Sequence, residues 1–251
     1  MRKVLVLCLL VLGSYSVLIA QDSATIARVK QEAKAKKNTV NLSARPKDHF
    51  IILLGHNMWT KAPDSIQNSK FHRSASVYFM FDFPFKTNPQ WSVGIGGGVG
   101  SDNQYFEHTS IDISGKTTNR LKFDNVADTN HFKKYKLNVT YLEAPIELRY
   151  TANAENPNKS FKAAIGVKVG TMTGANTKGK NYQNRNGAVI NGYTLKEKSK
   201  QFFNTTRLSV TARFGYGVFN VFASYQVNQF IKEGLGPDIR PLLFGIAITG
   251  L

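Results

Sequence analysis

Seven charged side chains recur at even spacings along three stretches of this chain: Glu143, Glu147 and Arg149, then Lys162 and Lys168, then Arg207 and Arg213. Successive side chains of an extended strand point to opposite faces, so even spacing puts each set on one face. The intervening residues are apolar: Leu142, Ala144, Ile146 and Leu148; Phe161, Ala163, Ile165, Val167 and Val169; Leu208, Val210, Ala212 and Phe214. Acids and bases on one face can move protons, line an ion path, or neutralise each other. Charges removed from water must be paired. If these faces enclose a space, we expect a structural network of ion pairs there, with catalysis or conduction as the alternative.

Other motifs fit known chemistry poorly. Gly94 to Gly100 is glycine-rich but lacks the Gly-x-Gly-x-x-Gly spacing, and no helix follows. Gly115-Lys116-Thr117 resembles the end of a phosphate-binding loop, yet Ser110 stands where its first glycine belongs. His49, His56, His72, His108 and His131 have no metal-ligand spacing. His72 and Ser74 could serve a lipid-modifying site near a rim, but no acid partner can be assigned. We therefore expect no catalytic residues, no metal and no cofactor.

The elements that must position these groups are strands. Eight candidates alternate in hydropathy at about 48–59, 73–83, 91–100, 139–150, 161–171, 204–215, 218–228 and 241–250. Strand one is too uniformly apolar for its faces to be assigned. Gly215-Tyr216-Gly217 allows a tight reversal. A sandwich and a membrane barrel both alternate in this way, and the connections separate them. Every second connection is short (84–90, 152–160 and 215–217), whereas 101–138 and 172–203 are very long. Outer-membrane barrels sort their loops in this manner, with short periplasmic turns and long external loops. About five outward positions per strand correspond to ~10 residues, or roughly 25 Å of height at ~40–45° of tilt. The reading is an all-β, eight-stranded antiparallel up-and-down transmembrane β-barrel. Eight strands leave an interior just wide enough for side chains to fill, and the glycines of strand three make room there.

Residues 1–20 read as a secretory signal, with Arg2 and Lys3 before the apolar run Val4 to Leu12. The only cysteine, Cys8, lies inside it. Of the net charge of +17, removal of Arg2 and Lys3 leaves +15. Residues 21–47 form a basic periplasmic arm, helical if Ser23 caps a turn running to Lys37. That arm could meet an anionic partner or be a solvated spacer. The barrel occupies 48–251. Export and a membrane band argue against nucleic-acid binding, despite the positive charge.

Tyr141-Leu142-Glu143-Ala144-Pro145-Ile146-Glu147-Leu148-Arg149 resembles a strand of the PorT-like (porin-family) outer-membrane β-barrel proteins of Bacteroidota. Ala212 to Gly217, Tyr225, and Gly236-Pro237 with Pro241 ahead of Phe244-Gly245-Ile246 are similar to that family's closing hairpin and last strand. The resemblance implies an integral outer-membrane barrel, in some members tied to type IX secretion or gliding, and partnered by outer-membrane lipid and the barrel-assembly machinery. Leu251 is out of phase with Leu242, Phe244, Ile246 and Ile248, so recognition by that machinery would use a shifted register.

The functional expectation is a non-enzymatic envelope role through surface or periplasmic interaction. A small barrel enzyme acting on envelope lipid, or a narrow solute channel, is the alternative. The 172–203 loop is the candidate anion-binding element. It carries Lys178, Lys180, Arg185, Lys196, Lys198 and Lys200 against Glu197 alone. Lipid headgroups and an acidic glycan or protein partner fit it equally.

Overall fold

The structure, a computed structural model, describes residues 50–63, 66, 71–116 and 118–250. The expected signal and basic arm lie outside the described residues. Eleven strands follow in chain order: β1 (Phe50–Thr60), β2 (Arg73–Pro84), β3 (Trp91–Phe106), β4 (Thr109–Ile111), β5 (Phe123–Asn125), β6 (His131–Thr151), β7 (Phe161–Gln183), β8 (Val189–Lys198), β9 (Thr206–Tyr216), β10 (Phe219–Gln226) and β11 (Arg240–Thr249).

Eight of them close a barrel. β1, β2, β3, β6, β7, β9, β10 and β11 pair antiparallel in that order, and β11 returns to β1 from Ile51↔Thr249 to Thr60↔Arg240. Closure leaves no barrel strand with an unpaired edge, which is what lets a sheet cross a bilayer. No helix among the described residues is long and apolar enough to cross a membrane; the strands do it.

Outward residues form a continuous apolar band. Val77, Phe79, Phe81 and Phe83 on β2, Leu142, Ile146 and Leu148 on β6, and Val167, Val169 and Ile165 on β7 are all exposed. An apolar surface of this extent has no place in water. β1 resolves into an outward file of Phe50, Leu54 and Met58 and an inward file of Ile51, Asn57 and Trp59. Its sequence hid this because both files are apolar over the first five residues.

Two glycines of β3 decide what fits inside. A Cβ at Gly94 would fall 2.5 Å from the Arg149 guanidinium carbon, and one at Gly100 would fall 2.9 Å from a Glu143 carboxylate oxygen. The β3–β6 ladder runs from Trp91↔Tyr150 to Ile95↔Ile146 and resumes at Gly98↔Glu143. The interruption falls at Pro145, which has no N–H to give to the ladder.

The long connections need correction. β3 continues to Phe106, β6 begins at His131, and β7 runs to Gln183. The 172–203 segment is not a loop: it completes β7 and returns as β8, which pairs with β7 from Asn176↔Lys198 to Gln183↔Val189. Among the described residues, β8 is a ninth strand beyond the barrel, paired only to β7. Within 101–138, β4 and β5 form a separate two-stranded ribbon.

Candidate functional site

All seven residues of the lumen set sit on strands whose alternation turns them inward. Glu143 and Glu147 are the acids of the set, and Arg149, Lys168, Arg207 and Arg213 pair with them. In the upper half Arg207, only 2% exposed, is held by Asp102 at 2.5 Å and Glu143 at 3.1 Å. Its Nε donates to Gln226 at 3.1 Å, and its guanidinium carbon lies 3.8 Å from the centre of the Tyr141 ring. Lys168 reaches Glu143 at 3.2 Å and donates to the Tyr78 hydroxyl at 3.1 Å, while that hydroxyl donates to Glu143. In the lower half Glu147 takes Arg213 at 2.7 Å and Arg149 at 3.0 Å. Arg149 also reaches Asp82 at 3.5 Å. Lys162 is buried at the same end. Sequence reasoning missed Asp102 and assigned no role to Asp82, Tyr78 or Tyr141. Asp102 lies beyond the expected end of strand three.

Between these networks the interior is apolar, with Ile51, Tyr78 and Met80 on one side and Phe222, Leu243 and Ala247 on the other. Above them the external connections fold inward as a cap. Trp59, Phe106, Ile111, Ile113, Leu121, Phe202, Phe203, Phe230, Ile231 and Ile239 form one buried cluster with Leu137, Val139 and Tyr141 of β6. Trp59 packs on Phe230 at 5.6 Å between ring centres, and Phe203 on Phe230 at 5.0 Å. Water is thus excluded at the external end by hydrocarbon and lower down by ion pairs.

The His72–Ser74 pair does not assemble a nucleophile and base. The Ser74 hydroxyl donates to Asp102 at 2.6 Å, a carboxylate already held by Arg207. His72 Nδ1 accepts the Tyr105 N–H at 3.0 Å, and His72 N–H donates to His56 Nδ1 at 3.2 Å. His72 lies in the connection before β2, above the apolar band. Burial, and secondarily the charge of His56, lower its pKa to about 4. The fold favours the neutral ring, so this contribution is present above the ordinary value near 6.5 and is lost as pH falls toward 4. An NMR titration should show the His72 ring neutral down to about pH 4; a midpoint near 6.5 would mean a wetter rim.

Two surfaces remain at the external end. The first is a cleft of about 380 Å³ between the β4–β5 ribbon and the wall made by β6, β7 and β8. Phe132, Tyr182 and Tyr193 form its aromatic floor, with ring centres 5.2–6.1 Å apart. His108 and His131 line its other side in edge contact at 4.8 Å. His131 is held by the Thr129 carbonyl at 2.8 Å and by Gln183 at 3.0 Å.

The second surface is cationic. Of the six candidate anion-binding residues, Lys178, Lys180, Lys196 and Lys198 share the outward face of the β7–β8 hairpin. There they are joined by Lys134 and Lys136 of β6, which sequence reasoning did not single out. Arg185 sits in the turn between β7 and β8, and Lys200 bends back to donate to the Met172 carbonyl at 3.3 Å. The missed signal was the even spacing of Lys134 and Lys136 continuing the outward file of β6.

A closed, lipid-banded sheet with a filled interior is an integral outer-membrane β-barrel. The family model of the outer membrane protein beta-barrel domain matches residues 49–234, and the chain belongs to that family. No curated protein matches it. Among solved structures, two of Ail, the attachment invasion locus protein of Yersinia pestis, are similar in fold. They align at TM-scores of 0.35 and 0.36 with 12% and 13% identity, covering 81% and 82% of this chain and 96% and 97% of Ail. The first is a complex with the heparin analogue sucrose octasulfate.

Proposed function

We propose that this barrel is a non-enzymatic interaction protein of the envelope, sealed to solutes, that receives a protein or acidic glycan partner in its external aromatic cleft. The observation that carries the reading is the double closure of the interior. Among the described residues, a lumen filled by paired charges and capped by buried aromatics leaves no path for a solute and no water-exposed acid–base pair inside it. That moves function to the outside. Aromatic rings beside histidine and asparagine give a cleft of this volume a contact surface that loses little entropy on binding. Residues 1–20 serve as the export signal, and 21–47 as the periplasmic arm, in this reading. The Pro145 strand and the Gly236-Pro237 approach support membership of the PorT-like branch of Bacteroidota, with secretion-associated partners among the candidates.

The test has two arms. Purified barrel in a planar bilayer should show no sustained conductance; steady channels of reproducible size would replace this reading with a porin. In crosslinked envelopes, Tyr182→Ala/Tyr193→Ala should lose the partner that co-purifies with the wild type while the barrel stays heat-modifiable. Undiminished recovery would remove the cleft from the proposal.

A further inference from the structure

The lysines of β6, β7 and β8 are arranged in a way that ordinary strand pairing opposes. Lys136 of β6 is directly opposite Lys178 of β7, and Lys178 is directly opposite Lys196 of β8. Lys134 and Lys180 face each other one step further out. Like charges directly across a sheet destabilise it, and these sit in three adjacent strands. None of these lysines, nor Lys198, forms an ion pair among the described residues. Lys136 donates to the Asn103 side chain at 2.7 Å and lies over the Tyr105 ring at 5.6 Å. A shallow cavity of about 210 Å³ opens between Tyr105, Lys134, Lys136, Lys178 and Lys180. The surface is built for negative charge that the described residues do not provide.

Its direction and height identify the source of that charge. On β6 the outward file descends from Lys134 and Lys136 through Asn138 and Thr140 to Leu142, where the apolar band begins. The same edge passes through Val77, Val99 and Leu142, which are paired in register. The lysines therefore look sideways, over the membrane, whereas the aromatic cleft belongs to the other face of the hairpin. Lys136 lies six strand positions from Leu142, about 20 Å along the strand, or about 15 Å above the band at ~40° of tilt. Phospholipid headgroups fill only about 5–8 Å beyond the hydrocarbon. They reach Thr140 and fall short of the lysines.

We propose that this face binds the phosphate groups of an outer-leaflet glycolipid, carried on a saccharide headgroup that lifts them above the acyl chains. The site rests on the barrel's place in the outer membrane and not on the cleft, so either can fail alone.

The experiment uses the full folded chain in detergent, with native mass spectrometry reading retained lipid. The probes are a glycolipid with a phosphorylated saccharide core, the same lipid after enzymatic dephosphorylation, and phosphatidylglycerol. Wild type should retain the phosphorylated glycolipid and discriminate against both others. Each lysine near an anionic surface contributes roughly fivefold, so Lys136→Gln/Lys178→Gln/Lys196→Gln should weaken retention roughly a hundredfold. Arg185→Gln, in the turn, should leave it unchanged, and arginine at the same three positions should preserve it. If the triple glutamine variant fails to become heat-modifiable, Lys178→Gln alone should still lose roughly fivefold. Equal retention of the dephosphorylated lipid, or of phosphatidylglycerol, would overturn the assignment. So would dextran sulfate binding that depends on the three lysines while glycolipid retention does not, because the face would then be a site for a soluble polyanion.

Discussion

Replacing Arg207 with methionine is expected to destabilise the barrel by about 3–5 kcal/mol, the usual cost of leaving buried charges without their partner. Asp102 and Glu143 would both lose their guanidinium, and both are 2% exposed. Lys168 would still neutralise Glu143, which leaves Asp102 the main orphan, with only the Ser74 hydroxyl described at its other oxygen. The measurement is the urea midpoint of the folded, heat-modifiable band on an unheated gel. Asp102→Asn in the same chain should recover a large part of the loss, since removing both charges of a buried pair costs far less than removing one. A single variant within about 1 kcal/mol of wild type would mean that water reaches Arg207 and that the lumen is not sealed.

The cap above that network should respond differently. Phe203 is fully buried, packs against Phe230 with its ring tilted and bridges to Ile231. Truncating a buried phenylalanine costs about 3–5 kcal/mol through lost burial and the cavity left behind. The cap stands above the apolar band, so Phe203→Ala should loosen the external connections without opening the barrel. Protease added outside intact cells should then cut within 118–122 and 229–240 faster in the variant than in the wild type, while the variant stays heat-modifiable. Equal protection of both chains would show that the cap is not one cooperative unit. Loss of heat-modifiability would show that the barrel depends on it.

The different fates of barrel and cap follow how far each was legible in the sequence. The eight barrel strands could be read because lipid on one side and a packed lumen on the other impose a strict period of two. Above the membrane the outward requirement changes from apolar to polar. His131-Phe132-Lys133-Lys134-Tyr135-Lys136 then loses its contrast, although β6 continues through it. The lumen charges were legible as inward, but not their partners. Glu143 and Glu147 alone cannot balance Arg149, Lys162, Lys168, Arg207 and Arg213, and that imbalance in a closed interior was itself a sign of missing acids. Asp102 falls two residues beyond the last glycine of strand three, where the pattern reads as the start of a loop. The cap had no signal of this kind: Ile111, Ile113, Leu121 and Ile239 are scattered through turns, and only the tertiary fold gathers them.

The strand that stands outside the closed sheet carries a consequence for crowding. β8 has hydrogen-bonding groups on one side that no other strand among the described residues uses, and such an edge invites a neighbour's strand to add to it. Its apolar residues Val189, Ile190, Tyr193 and Leu195 are exposed and would favour that addition. Lys196 and Lys198 work against it. Two copies meeting edge to edge in antiparallel fashion near these positions would bring ammonium groups face to face, at a distance where like charges repel. In a densely packed leaflet, that repulsion keeps neighbouring barrels from zipping together into a shared sheet, and leaves the edge open only to a strand bearing acids.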